Sequence, residues 1–326
     1  MSNLVTIFGG SGFVGRYIAR RMAKEGWRVR VAVRRPNDAL FVRPYGVVGQ
    51  VEPVFCNIRD DESVRAVTKG ADVVVNCVGV LAEDGKNTFD AVQAEGAGRV
   101  ARIAAEESVQ RMVQISAIGA DADSDSEYAQ SKAEGEEAVL AAFPTAMILR
   151  PSIVFGPEDE FFNRFASMTR FGPILPVVGA DTKFQPVYVD DVAQAAVKGI
   201  LGQAEPGIYE LGGPDVRTFR ELMTEMLSVI HRKRLVLNIP FFAAGIMAKL
   251  MELGQTISLG LVPAQLTTDQ VANLRNDNVV SEGAKTLADL GIEPTTTASV
   301  LPSYLWRFRP SGQYYDITES AKTLRN

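Results

Sequence analysis

Leu4-Val-Thr-Ile-Phe-Gly-Gly-Ser-Gly-Phe-Val-Gly15 is the stretch from which the rest of the chain can be read. A short apolar run ends at Phe8, glycines stand at positions 9, 12 and 15, and an amphipathic segment covers residues 13–24. That order predicts strand, tight turn, helix. Gly9 permits the turn, Gly12 lets the backbone come close to a diphosphate, and Gly15 lets the helix pack against the strand. The first N–H groups of the helix have no partner within it and are offered to an anion. Ser11, Phe13 and Val14 share this loop and join the three glycines as candidate ligand contacts.

Working outward, residues 29–33 form a second strand that ends in Arg34-Arg35-Pro36. Dinucleotide folds that select NAD place an acidic residue at this tip to bind the ribose 2′-hydroxyl, whereas a guanidinium matches a 2′-phosphate. Arg34, with Arg35 and Ser11, therefore predicts NADPH (NADP) as the cofactor. Residues 51–56 are a third strand followed by Asn57-Ile58, and residues 73–77 a fourth, apolar enough to be covered on both faces. The glycine in its tip, Val78-Gly79, lets backbone approach the cofactor. A long helical stretch at 88–107 leads to a fifth strand at 112–115 and then Ser116.

Tyr128 and Lys132 open a helix reaching about residue 142 and lie four apart on one face. An ammonium there stabilises a phenolate and holds the nicotinamide ribose, and Ser116 is placed to polarise a substrate carbonyl or hydroxyl. Residues 147–150 make a sixth strand, followed by Pro151-Ser-Ile153. The fold class is α/β: a Rossmann-type doubly wound parallel sheet with a smaller, mostly helical C-terminal domain. Residues 1–157 with about 184–202 are assigned to the NADP-binding domain, and about 158–183 with 203–326 to the smaller one.

Composition narrows the function classes. The chain has 326 residues, 46% hydrophobic, with a net charge of −5 and scattered Lys and Arg, which argues against nucleic acid as a partner. Cys56 and Cys77 each close a predicted strand, as buried thiols or as neighbours on adjacent strands. With a single histidine, no metal site is predicted. The longest apolar segment, 239–253, is interrupted by Pro240, Lys249 and Glu252 and is too short to span a bilayer. The first strand begins at Leu4, so a bacterial cytoplasmic or processed organellar protein is expected.

The second half reads as local elements: a strand at 208–211, a helix at 219–230 capped by Thr218, and His231 as a helix-end or phosphate-facing residue. Phe242, Ile246, Leu250 and Leu253 recur at helical spacing, as a core stripe or as a face for lipid. Lipid contact would run between Phe241 and Val262. Helices are also expected near 263–274 and 281–290, followed by a tail with Trp306, Arg307, Arg309, Tyr314 and Tyr315 that should pack against something.

Certain segments carry a family resemblance: the Gly-x-x-Gly-x-x-Gly loop, the Tyr-x-x-x-Lys pair, Arg150-Pro-Ser-Ile-Val-Phe-Gly156, Glu158-Asp-Glu-Phe-Phe-Asn-Arg-Phe-Ala-Ser-Met168 and Gln185-Pro-Val-Tyr-Val-Asp-Asp-Val192. The chain resembles the atypical short-chain dehydrogenase/reductases and, among them, the family of NADPH-binding accessory subunits of respiratory complex I. The resemblance implies that Asn57 and Ile58 flank the adenine and that backbone at Pro151 and Ile153 lines the nicotinamide. It implies the return of the cofactor domain at 184–193, with other complex I subunits as partners. The expected location is peripheral, on the cytoplasmic side of a bacterial inner membrane or the mitochondrial matrix side. Ser116, Tyr128 and Lys132 match reductase positions, whereas the accessory-subunit family uses its nucleotide structurally. The alternative is a free-standing NADP-dependent reductase or sugar-nucleotide epimerase.

Overall fold

The computed structural model describes residues 3–257 and 266–323. The chain divides into two compact units, the first made of Met1–Ser152, Val189–Gly212 and Val280–Glu293. The second comprises Ile153–Tyr188, Gly213–Val279 and Pro294–Asn326.

Six strands of the first unit are β1 (Leu4–Phe8), β2 (Arg28–Val33), β3 (Val51–Phe55), β4 (Val73–Asn76), β5 (Arg111–Ile115) and β6 (Met147–Pro151). With Gly207–Leu211 they form one sheet in the order Gly207–Leu211, β6, β5, β4, β1, β2, β3. Every pairing is parallel. The architecture is the expected doubly wound Rossmann type. β1 and β4 lie side by side in the middle and every one of their residues is buried, which is why both read as nearly continuous apolar runs. β3 closes one edge, where Pro53 removes an N–H from the ladder at least cost. The chain winds outward from β1 to β3 and then crosses back to β4, so a crevice opens past the C-terminal ends of β1 and β4.

Helices α1 (Phe13–Lys24), α2 (Asp61–Thr68), α3 (Glu95–Glu106) and α4 (Glu127–Ala142) cover this sheet together with Val189–Ile200. Asp60 caps α2 by accepting from the Ser63 N–H at 2.8 Å, and Ser126 caps α4. Arg21 of α1 grips Asp190 through two bonds of 2.7 and 2.6 Å, fixing the Val189–Ile200 helix. The first aspartate of the Gln185 to Val192 motif is thus a packing residue.

Several expectations change. The strand at Gly207–Leu211 is the seventh strand of the large sheet, its register set by Ile208 and Tyr209 against Ile148 and Leu149. The expected strand at 184–189 is split into Lys183–Phe184 and Val187–Tyr188, two-residue strands that join different pairs in the second unit. Only the following helix returns to the first. The helical stretch expected at 88–107 is present, with its first part, Asp90–Ala94, a π-helix that feeds α3. Residues 281–290 form turns, with Gly283 and Gly291 in left-handed conformations and Asp289 accepting from the Thr286 N–H. Cys56 and Cys77 cannot pair, because β1 and β2 separate β4 from β3.

The second unit has a phenylalanine-rich core. Phe161 lies 5.0 Å from Phe162, 5.5 Å from Phe165 and 5.4 Å from Phe219, ring centroid to centroid. Asp159 is buried beside this cluster, where its carboxylate accepts from the Gly156 and Asn163 N–H groups and from the Tyr304 hydroxyl. Burial pushes this carboxyl up, with the bonds opposing. The 158–168 motif therefore encodes a core and its polar anchor. Thr218 forms a capping box with Glu221 on the helix Phe219–Val229. His231 follows that helix and stacks on Tyr315 at 4.3 Å, the helix-end alternative. In the tail, Phe308 is buried, Arg307 and Arg309 bond main-chain carbonyls, and Tyr314 is exposed.

On the helix Phe241–Ile257 the stripe is not a core face, one of the two readings given to it: Ala244 and Ala248 are buried, while Phe242 is 74% exposed and Ile246, Leu250 and Leu253 are exposed too. The helix expected at 263–274 is described only as Thr268–Asn273, and residues 258–265 lie outside the described residues. Among the described residues no helix is long and apolar enough to cross a membrane.

Candidate functional site

The turn after β1 is built as its glycines require. Gly9 takes φ +72°, and a Cβ on Gly15 would lie 2.5 Å from the Gly9 carbonyl oxygen, so α1 starts against the turn. Gly12 stands at the N-cap of α1, where no side chain among the described residues caps the helix and the first turn carries no acid. Across the crevice, the tip of β4 is shaped by Asn76. Its buried amide donates to Gln114 Oε1 at 2.9 Å, and its carbonyl accepts from the Val78 N–H at 3.1 Å.

Two adjoining cavities run along the C-terminal edge of the sheet, both within the first unit. The larger, about 610 Å³, is lined by Gly9, Ser11, Gly12, Arg34, Arg35, Asn57, Ile58, Val78 and Gly79. The second, about 250 Å³, is lined by Phe13, Val14, Gly15, Tyr128 and Lys132. Gly9, Gly12, Cys77, Gly79 and Val80 belong to both, so one continuous crevice leads from Arg34 to Lys132. Arg34 is exposed on its wall and has no ion-pair partner among the described residues, whereas Arg35 lies 4.0 Å from Asp38. Asn57 is held by the Arg59 N–H, at 3.2 Å from its side-chain oxygen.

Three predicted residues stand elsewhere. Pro151 is buried at the end of β6, where its carbonyl accepts from the Ile118 N–H at 3.0 Å, and Ile153 belongs to the second unit. Neither lines either cavity. Ser116 is also off these walls, and its hydroxyl donates to the buried carboxylate of Glu136. Glu136 in turn receives Arg150 Nε at 2.9 Å and Nη2 at 2.7 Å, and Arg150 Nη1 lies 3.5 Å from Glu210. The carboxylates hold the Arg150 guanidinium above its ordinary range, Glu136 foremost.

Tyr128 and Lys132 do share the crevice, the ammonium lying 5.8 Å from the tyrosine ring. Burial pushes Lys132 down to about 8, against the opposing pull of Glu136 and Cys77. Charging Lys132 is therefore disfavoured by the fold. The unfolded chain holds this proton up to its ordinary pKa of 10.5, so the residue costs stability below about pH 8, and the cost disappears as pH rises to 10.5. Lys132→Met should raise the stability of the ligand-free protein at pH 7 by about 1–2 kcal/mol and remove that residue's share of the alkaline rise, measured by urea unfolding at several pH values. A lower midpoint in the variant would contradict it.

Sequence reasoning overlooked Asn76 at the tip of β4 and three residues that line the crevice, Asp38, Asn87 and Gln93. Asn76 alone carried a signal, as a polar residue ending an apolar strand. Cys56 and Cys77 line the crevice as thiols pushed up by burial to about 11 and about 12, so they are not thiolates at neutral pH. Among the described residues no cluster of His, Cys, Asp or Glu could hold a metal.

A helix start packed against the glycine turn, an arginine with no ion-pair partner among the described residues and an orphaned buried acceptor on Gln93 all fit a bound dinucleotide. The profile of the NAD dependent epimerase/dehydratase family matches residues 5–212. The chain belongs to this epimerase/dehydratase family. Dependence on NAD(P) goes with that family.

One relative of near-equal extent is the mitochondrial NADH dehydrogenase [ubiquinone] 1 alpha subcomplex subunit 9 of Arabidopsis thaliana, 34% identical over 98% of this chain and 81% of the relative. The chain belongs to that subunit's group within the epimerase/dehydratase family. A ceramide reductase of Caulobacter vibrioides is 32% identical over 73% of this chain and 74% of its own. Among solved structures, the Escherichia coli NADPH-dependent quinone oxidoreductase complexed with NADPH matches with a TM-score of 0.69 and 18% identity, covering 92% of this chain and 98% of that one. That last likeness concerns the fold alone.

Proposed function

We propose that this protein is an NADP(H)-binding accessory subunit of a respiratory NADH:quinone oxidoreductase, stabilising the peripheral arm near the membrane without catalysing a reaction of its own. The observation that carries the reading is the near full-length similarity to a named subunit of that enzyme. The commitment of Ser116 to Glu136 supports a non-catalytic role, since the hydroxyl that would polarise a substrate is spent on a buried carboxylate. Gly9, Gly12 and Gly15 would hold the diphosphate, Arg34 the 2′-phosphate, Asn57 and Ile58 the adenine, and Tyr128 with Lys132 the nicotinamide side. When bound, the nicotinamide can supply hydride, but in this role it acts as a folded-state ligand. The exposed face of Phe241–Ile257 is the surface proposed to meet lipid. The location that goes with this reading is peripheral, on the cytoplasmic side of a bacterial inner membrane or on the mitochondrial matrix side.

A ligand bound only by the folded state stabilises it. NADPH should therefore raise the melting midpoint by several degrees, and a tagged chain should carry respiratory subunits and the reduced dinucleotide out of solubilised membranes. Equal midpoints with and without NADPH, together with a chain that emerges alone, would overturn the proposal. The second reading, a free-standing NADP-dependent reductase, is favoured by Tyr128 and Lys132 on one cavity wall. It requires NADPH oxidation with an added carbonyl substrate, abolished by Tyr128→Phe.

A further inference from the structure

Gln93 lies in the π-helix ahead of α3, and α4 crosses it so closely that a Cβ on Gly135 would stand 2.3 Å from the Gln93 carbonyl oxygen. Such π-helical turns are frequent where a side chain must be aimed at a ligand. The side chain is 3% exposed and its Nε2 donates to Ser131 Oγ at 3.2 Å. The orientation of this amide follows from proton counting. Ser131 has one hydroxyl proton and gives it to the Tyr128 carbonyl at 2.9 Å, so towards Gln93 it can only accept. The NH₂ group must face Ser131, which leaves Oε1 on the other side. That oxygen has no hydrogen-bond partner among the described residues.

The direction in which Oε1 points is marked by Gly79. A Cβ built there would lie 3.3 Å from Gln93 Oε1 and 3.3 Å from Lys132 Nζ, and all three residues line the same cavity. One point in the crevice is thus flanked by an obligate acceptor and an amine donor. A ligand amide N–H could satisfy the acceptor but would meet the ammonium as donor to donor. A hydroxyl satisfies both, giving its proton to the oxygen and its lone pair to the nitrogen.

We propose that Gln93 is a binding residue of the crevice, whose Oε1 accepts a hydrogen bond from a sugar hydroxyl on the nicotinamide side of the dinucleotide while Lys132 donates to that same hydroxyl. The assignment rests on the dinucleotide reading of the crevice. It deepens that reading by giving this side of the ligand a recognition element besides Tyr128 and Lys132.

Isothermal titration of the full chain with NADPH and with adenosine 2′,5′-bisphosphate, which lacks the second sugar, separates the two claims. Gln93→Leu should weaken NADPH about tenfold and leave the bisphosphate within about twofold, the size expected for one buried bond. Gly79→Ala puts a methyl group at the flanked point and should produce the same selective loss without touching the amide. Unchanged NADPH affinity in a folded Gln93→Leu protein, or equal loss for both probes, would overturn the assignment. A wild-type chain that binds neither probe would instead remove the dinucleotide reading itself, and the assignment with it.

Discussion

Glu136→Ala should lower stability by about 3 kcal/mol, seen as a large fall in the urea midpoint with little change in slope. The carboxylate is buried, accepts from both Nε and Nη2 of Arg150 and takes the Ser116 hydroxyl. Its removal leaves Arg150 with only Glu210, 3.5 Å away, and strands the donor of Ser116. Arg150 keeps 22% of its side chain in contact with water, which places the cost at the low end of what losing a buried ion-pair partner brings. Glu136→Gln preserves the shape and one acceptor and should cost about 1–2 kcal/mol. A Glu136→Ala protein with the wild-type midpoint would mean that Ser116 and Arg150 find other partners, and Ser116 would return as a candidate for chemistry.

Arg34→Ala should weaken NADPH about 10–100-fold and change NADH by no more than about threefold, because a guanidinium gains much more from a dianionic phosphate than from a hydroxyl. Arg34 stands exposed on the cavity wall, and among the described residues no carboxylate pairs with it. The discrimination should shrink as salt is added, since an exposed pair is screened. Titration of both nucleotides at low and high salt measures it. Equal losses for NADPH and NADH would show that Arg34 shapes the crevice and does not select the phosphate.

The sheet was legible because parallel strands buried on both faces leave uninterrupted apolar runs, as at β1 and β4. The glycine loop was legible because backbone constraints write themselves into residue type: Gly15 has no room for a Cβ. Elements decided by distant partners were not legible. Ile208 and Tyr209 look like any local strand until β6 is there to pair with them. The stripe of Phe242, Ile246 and Leu250 has a spacing that suits a core face or a face for lipid alike, and the local sequence does not say that the small alanines opposite take the buried side. Ser116 sits where sequence expects a reactive hydroxyl. Nothing local announces Glu136, twenty positions on, as its acceptor.

The order in which strands enter the large sheet bears on synthesis. β6 is made early, but its outer neighbour Gly207–Leu211 is reached only after the ribosome has delivered 153–188, part of the other unit. Until then β6 presents an open ladder, and Arg150 waits for the second of its carboxylates, whose own contact from the Ser281 N–H comes later still. A nascent chain released before that point would carry a sticky edge and an underpaired cation, so protection by chaperones should matter most over this interval.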